Sequence, residues 1–106
     1  MDVFKIKRGD TRPPMTYQCL TDDGKAQPLL AGTVVRFKMK LPGATVPVVN
    51  VVATILDGPT GVVQWAPVTG LDLGEHLAEF EATYGDGNVE TFPDDEFIGV
   101  VIGEDV

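Results

Sequence analysis

The sequence predicts an all-β chain folded as one antiparallel β-sandwich. First, 106 residues include 12 Gly and 8 Pro, a content typical of many turns and few long helices. Second, short runs of alternating apolar and polar residues recur between those turns, as in strands with one buried face. Third, 43% of the residues are hydrophobic, which is enough for one core in a domain of this length. We therefore expect a single domain over residues 1–106, with short flexible ends at 1–3 and 103–106.

The first two strands are predicted on either side of a proline pair. In residues 3–8, Phe4 and Ile6 alternate with basic side chains. Pro13-Pro14 lacks two backbone donors, so it is expected in an extended crossing between sheets. A second strand is predicted over residues 15–20, where it meets an Asp-Gly turn.

The middle of the chain predicts three further strands. Residues 33–40 show the most regular alternation, with apolar side chains on one face and basic side chains on the other. Residues 44–47 are compatible with a loop or an edge strand. Residues 48–57, rich in Val and Ile, predict one strand, and residues 62–65 pair back after a tight turn. A loop follows over residues 67–74.

The last third of the chain predicts a long hairpin over residues 77–102. Its turn, Gly85-Asp86-Gly87-Asn88, is made of residues that tolerate positive φ. Pro93-Asp94-Asp95 interrupts the returning strand and indicates either a bulge or a jump to the other sheet. The total is about seven or eight strands at roughly 8–12 residue spacing, the pattern of an immunoglobulin-like antiparallel β-sandwich.

A charge pattern suggests which strands are neighbours. The outer face of residues 36–40 is basic and that of residues 79–81 is acidic. If the two strands pair, Arg36 and Lys38 face these glutamates across the ladder and help to set the register.

Composition excludes several classes of function. Eight basic and sixteen acidic residues give a net charge of −8, which disfavours binding to nucleic acid or to an anionic membrane. Cys19 is the one cysteine, so no internal disulfide forms. Residues 1–5 lack a signal-peptide core, and no stretch approaches the roughly 20 apolar residues of a membrane span. These features predict synthesis in a reducing cytoplasm.

Few residues suggest catalysis or ligand binding. His76 and Cys19 are the single candidates for a base and a nucleophile, and their spacing suggests no pairing. His76 is expected at the surface. The acidic groups at 22–23, 94–96 and 104–105 lack the spacing of a calcium loop, so no metal or cofactor is expected.

Five segments, taken in order, resemble one known family. They are Lys7-Arg8-Gly9-Asp10-Thr11-Arg12-Pro13-Pro14, Thr21-Asp22-Asp23-Gly24, the run from Leu30 to Met39, the run from Asp57 to Val63, and the run from Ala78 to Pro93. With their spacing along residues 4–102, the chain resembles the amino-terminal β-sandwich of the baseplate upper protein family of tailed bacteriophages.

The resemblance implies a non-enzymatic virion structural protein, made in the host bacterial cytoplasm, that binds other virion proteins during tail or baseplate assembly. It also implies copies arranged in rotational symmetry, so a homo-oligomer in the particle is one expectation. The candidate interface residues are Phe4, Arg12, Trp65 and Tyr84. Trp65 and Tyr84 are, however, more often core aromatics than ligand platforms, and an exposed Trp65 would instead mark an interface anchor.

Three alternatives remain open. The chain could be a head or neck accessory protein. It could be a carbohydrate- or receptor-binding module, which needs exposed aromatics beside polar loops; Tyr17, Trp65 and Tyr84 are the candidates. A hydrolase would need His76 in a cleft beside acids.

Overall fold

The structure, a computed structural model, describes residues 2–105, which contain nine strands and no helix. The strands are β1 (Val3–Lys7), β2 (Met15–Gln18), β3 (Val34–Lys40), β4 (Val49–Val52), β5 (Thr54–Asp57), β6 (Val62–Trp65), β7 (Gly74–Thr83), β8 (Val89–Phe92) and β9 (Ile98–Gly103). Residues 2–105 accordingly include no helix long and apolar enough to cross a membrane.

The nine strands form two sheets. The larger sheet has the order β1-β9-β7-β3-β4, and β8 also pairs with β7; the smaller sheet has the order β2-β6-β5. Neighbouring strands are antiparallel except β1 and β9, which are parallel. The predicted all-β, sandwich-like arrangement is confirmed.

The core lies between the two sheets. Phe37 of β3 stacks on Trp65 of β6 with 4.2 Å between ring centroids, and Tyr17 of β2 stacks on Phe80 of β7 at 5.4 Å. Each pair joins one sheet to the other. The inward positions of β3 and β7 alternate with half-buried ones, which explains why their sequence alternation predicts the strands correctly.

β7 is the central strand of the larger sheet. It pairs with β3 along one side and, along the other, first with β9 and then with β8. Residues 93–97 separate β8 from β9, yet both strands stay beside β7. The interruption is therefore an irregularity within one sheet, and of the two alternatives, a bulge or a jump to the other sheet, the jump does not occur.

The predicted single strand 48–57 is wrong, because the chain changes sheets at Ala53. The Ala53 N–H still donates to the Val35 carbonyl oxygen of the larger sheet (2.8 Å), whereas Thr54 already pairs with Gln64 in the smaller one. The small, buried Ala53 side chain fits between the sheets at this crossing. One expected strand thus becomes β4 and β5, and nine strands replace the seven or eight predicted.

Two predicted segment boundaries also differ from those in the structure. β2 ends at Gln18 and not at residue 20. In the segments expected to be flexible, Val3 and Gly103 lie inside strands, where they pair with Gly99 and Lys7. Met1 and Val106 lie outside the described residues.

The predicted pairing of a basic and an acidic strand is confirmed. Arg36 stands opposite Glu81 and Lys38 opposite Glu79. The ion pair itself is diagonal, with the Lys38 Nζ atom 2.9 Å from a Glu81 carboxylate oxygen. Arg36 turns the other way and donates to the side-chain oxygen of Asn50 in β4 (2.9 Å).

Candidate interaction surface

One edge of the molecule is free of charged side chains. Residues 41–56 include no Asp, Glu, Lys, Arg or His, although the chain as a whole carries a net charge of −8. This segment contains β4, the last strand of the larger sheet, which pairs with β3 on one side and with no described strand on the other. An edge without charges lacks the commonest protection against pairing with another chain.

The hydrogen-bond pattern shows which backbone groups of β4 face outward. In an antiparallel pair, residues alternate between those bonded to the partner strand and those directed away from it. Ala53 bonds to Val35, so Val51, opposite Phe37, belongs to the bonded set. Asn50 and Val52 therefore direct their N–H and C=O groups away from β3, toward the open side.

Exposed aliphatic side chains surround these backbone groups. Val52 is 62% exposed, and Val51 is 39% exposed even though its side chain points to the sandwich interior. The other exposed aliphatic residues of this region are Val46, Val48 and Leu56. Together the open backbone of β4 and these five side chains form what we call the valine edge.

The other edge strands are β1, β2, β5 and β8, and three of them, β1, β5 and β8, differ from β4 in ways that discourage pairing; β8, for example, exposes Glu90. β1 exposes Lys5 and Lys7, and charges on an edge oppose the approach of a second strand. β2 exposes the polar Thr16 and Gln18. β5 has a register shift between Ile55 and Asp57, and such bulges also protect edges.

Arg36 holds the middle of β4 in place. Its Nε atom donates to the Asn50 side-chain oxygen (2.9 Å), and its Nη2 atom donates to the Asn50 carbonyl oxygen (3.3 Å). The alternation along β4 directs this carbonyl group away from β3. Because a carbonyl oxygen has two lone pairs, it can accept one further hydrogen bond from outside.

A groove of about 400 Å³ lies on the outer face of the larger sheet, beside the valine edge. Its walls include Lys38, Thr45, Pro47 and Asn50. On its far side the Lys40 ammonium group lies 5.1 Å from the centre of the Phe97 ring, a cation–π distance. The groove thus widens the surface beside β4.

Two further grooves contain predicted interface residues. Tyr84 lines a groove of about 420 Å³ between the loops 27–33 and 84–86, together with the exposed Leu30. Phe4 lines a groove of about 300 Å³ between β1 and β2, beside Tyr17. Tyr84 and Phe4 therefore lie in separate grooves.

The remaining predicted interface residues lie elsewhere. Trp65 is 2% exposed and stacked on Phe37, so of its two open roles the structure assigns it to the core. Arg12 is exposed in the connection between β1 and β2. The four residues do not form one surface.

The single histidine and cysteine are both buried. His76 is 0% exposed, so the prediction of a surface position is wrong: β7 begins at Gly74 and places His76 on its inward face. The His76 Nδ1 atom lies 3.2 Å from the Gly74 carbonyl oxygen. Cys19 is equally buried, and this burial raises the pKa of its thiol to about 12, which suppresses the reactive thiolate.

Two acidic side chains, Asp22 and Asp23, form hydrogen bonds that shift their pKa values. A hydrogen bond with Asp94 raises the pKa of the Asp22 carboxyl group, and a hydrogen bond from Thr21 lowers that of Asp23. Within residues 2–105, no three His, Cys, Asp or Glu side chains lie close enough together to hold a metal ion.

The valine edge is absent from the interface residues predicted from sequence. A signal was available: residues 41–56 form a charge-free run in a chain with 23% charged residues. No protein-family model matches the chain, and no curated protein is significantly similar to it. An open strand, exposed valines and an adjoining groove are the features of a surface that binds another polypeptide by strand addition.

Proposed function

We propose that the chain is a non-enzymatic structural protein of a tailed-bacteriophage virion. It serves as an adaptor that binds other virion proteins in the tail or baseplate, after synthesis in the bacterial cytoplasm. The valine edge is the observation that carries this proposal, since an uncharged, open strand favours protein–protein contact over solvation. The ordered resemblance along residues 4–102 supports the assignment to a virion.

We infer that the sandwich is immunoglobulin-like. In that fold, strands B, E and D share one sheet and strands C, F and G share the other, with C′ added beside C in variable-type domains. Here β2, β6 and β5 take the first three places, and β3, β7, β9 and β4 take the others. This correspondence in both sheets supports the finer assignment.

The burial of Cys19 and His76 supports a non-enzymatic role. Both side chains are 0% exposed. His76 lies on β7 of the larger sheet, and Cys19 directly follows β2 of the smaller one. A nucleophile and its base must reach a substrate. Neither residue does so in this conformation.

The test is binding to the other tail proteins of the same phage. The purified chain is mixed with each candidate, and the mass of the mixture is measured by light scattering after size exclusion. We expect one larger tail protein to gain a whole number of 11.4 kDa chains. A chain that remains separate from every virion protein contradicts the proposal.

The groove beside Tyr84 favours one second candidate, a carbohydrate-binding module. Its volume of about 420 Å³ fits a small ligand, and Tyr84 places an aromatic ring on its wall. The Tyr84 hydroxyl donates to a Glu90 carboxylate oxygen (2.6 Å). Binding to a glycan array that is lost in Tyr84→Ala would favour this function, and an array without signal would contradict it.

A further inference from the structure

We propose that β4 pairs antiparallel with β4 of a second copy of this chain, so that two six-stranded sheets become one continuous sheet. The inference rests on the proposed adaptor function, since it identifies a second copy of this chain as the virion protein that occupies the valine edge. Backbone geometry, charge and the exposed side chains each favour a second copy.

The outward backbone groups of β4 are complementary to themselves. A two-fold axis at Val51 places Asn50 of one copy opposite Val52 of the other, and Val52 opposite Asn50. Both residues direct N–H and C=O groups outward, so each of the two pairs forms two hydrogen bonds. The dimer therefore gains four main-chain hydrogen bonds with no change in the β3–β4 register.

The same axis brings exposed valines into contact. Val51 faces Val51 of the second copy at a non-hydrogen-bonded position, where opposing side chains are closest. On the outer face, Val52 lies beside Asn50 of the second copy. Side chains that are 39% and 62% exposed in the single chain thus become covered.

Charge permits self-association at this edge more readily than at the edges formed by β1, β5 and β8, which carry charged side chains. Two copies with a net charge of −8 each repel one another, but residues 41–56 bring no charge to the contact. The nearest cation is Arg36 of each copy, whose guanidinium group is held against Asn50 on the outer face of β4.

Arg36 prepares the edge for this pairing. Its two hydrogen bonds to Asn50 fix the side chain against the outer face and leave one lone pair of the carbonyl oxygen directed outward. An ordered edge loses less conformational entropy on pairing than a mobile one.

The predicted dimer is weak in free solution. One pair of four-residue strands buries less than the roughly 1,200 Å² of a standard stable interface. Copies held side by side on a larger assembly have a high effective concentration, so the same contact becomes stable there. The free chain should accordingly be monomeric when dilute and dimeric when concentrated.

The experiment is a concentration series on the full chain, from about 10 μM to about 1 mM, the range of weak affinities, by sedimentation equilibrium. We expect the average mass to rise from 11.4 kDa toward twice that value. Val52→Lys places a charge on the edge and should keep the chain monomeric throughout. Val68→Lys is the matched control, since Val68 is 43% exposed but lies in the loop between β6 and β7; it should dimerise like the parent chain.

Val52→Pro tests the hydrogen bonds independently. The N–H of Val52 faces away from β3, so proline there preserves the fold and removes a donor that only the second copy uses. Circular dichroism should match the parent, and the dimer should be lost.

Four results would overturn the proposal. The first is a parent chain that stays monomeric at every concentration. The second is a dimer that survives Val52→Lys, and the third is a dimer lost equally in Val68→Lys. A monomer that binds a tail protein through Val52 would also overturn self-pairing, while leaving the adaptor function intact. Conversely, self-pairing is measured on the purified chain alone, so it can hold where binding to virion proteins fails.

Discussion

Gly61 allows a sharp test of how the turn after β5 is held against the rest of the smaller sheet. Its φ of +71° lies in the left-handed region, and its carbonyl oxygen accepts the Cys19 N–H at 2.8 Å. A Cβ atom at this position would collide with the Gln27 carbonyl oxygen and stand 3.0 Å from that of Cys19. Gly61→Ala therefore imposes both an unfavourable backbone conformation and a steric clash with backbone atoms.

Gly43→Ala separates these two effects. Gly43 has a similar φ of +80°, but a Cβ there would meet nothing within 4 Å. The conformational cost alone is about 1–2 kcal/mol, reduced by up to about 1 kcal/mol through lower entropy of the unfolded chain. The clash at Gly61 adds about 1–3 kcal/mol, as overpacking does. We therefore expect Gly43→Ala to destabilise the fold by about 0–2 kcal/mol and Gly61→Ala by about 1–3 kcal/mol more than that.

Urea unfolding measures this difference. Trp65 is the single tryptophan and is 2% exposed, so its fluorescence reports loss of the core. The midpoint should fall much further for Gly61→Ala than for Gly43→Ala, with the same dependence on urea. If the two variants agree within about 0.5 kcal/mol, the size of ordinary surface effects, the steric reasoning is refuted.

Four further predictions concern named side chains. Burial raises the pKa of the Cys19 thiol from its ordinary value of 9.0 to about 12, so the folded state retains a proton that the unfolded chain loses. The contribution of the protonated thiol to the free energy of unfolding should be complete below pH 9 and should fall as the pH rises toward 12. Cys19→Ala should flatten the dependence of this free energy on pH between pH 9 and 10, and an unchanged dependence would contradict the prediction. Native Cys19 should also resist a thiol reagent that labels it completely in urea, and rapid native labelling would show access to the core. The Lys38 Nζ atom lies 2.9 Å from a Glu81 carboxylate oxygen, and a double-mutant cycle should give a coupling of about 0.5 kcal/mol between these side chains. This coupling should shrink in high salt, and a coupling insensitive to salt would indicate packing instead. Burial and the hydrogen bond to Glu90 raise the pKa of Tyr84. Glu90→Gln should therefore lower the pH at which the Tyr84 phenol ionises, as measured by phenolate absorbance, and no change would exclude the hydrogen bond as a cause.

Local alternation predicted much of the larger sheet. In β3 and β7, one apolar side chain at every second position predicted the strands, and the opposite charges on their outer faces suggested the pairing that the structure shows. Both signals depend on side chains that face each other across one ladder. The local sequences of β3 and β7 therefore contain the signals that indicate these strands and their pairing.

The change of sheet at Ala53 could not be predicted in the same way. Val49, Val51, Ala53 and Ile55 alternate inward without a break, whether the strand continues or crosses. The two sheets face one common core, so a chain that passes from one sheet to the other keeps its inward side unchanged. The alternation is identical in both cases.

His76 and the valine edge were missed for different reasons. His76 shares the inward parity of Ala78 and Phe80, but a polar residue at the start of a strand is ordinarily placed outside. The valine edge depends on strand order: β4 is an edge because no described strand follows it in the sheet. Order is a property of the whole chain, so local patterns do not reveal it, although the charge-free run of residues 41–56 marks the place.

The parallel pairing of β1 with β9 has a mechanical consequence. Val3 lies beside Gly99 and Lys7 beside Gly103, so the chain enters at one end of this strand pair and leaves at the other. A pulling force on the two ends therefore slides β1 along β9 and loads all five paired positions at once. In an antiparallel terminal pair, the same force would open one hydrogen bond at a time. Single-molecule stretching from the ends should accordingly give a higher rupture force than stretching across β4 and β5, and equal forces would show that this strand pair does not carry the load.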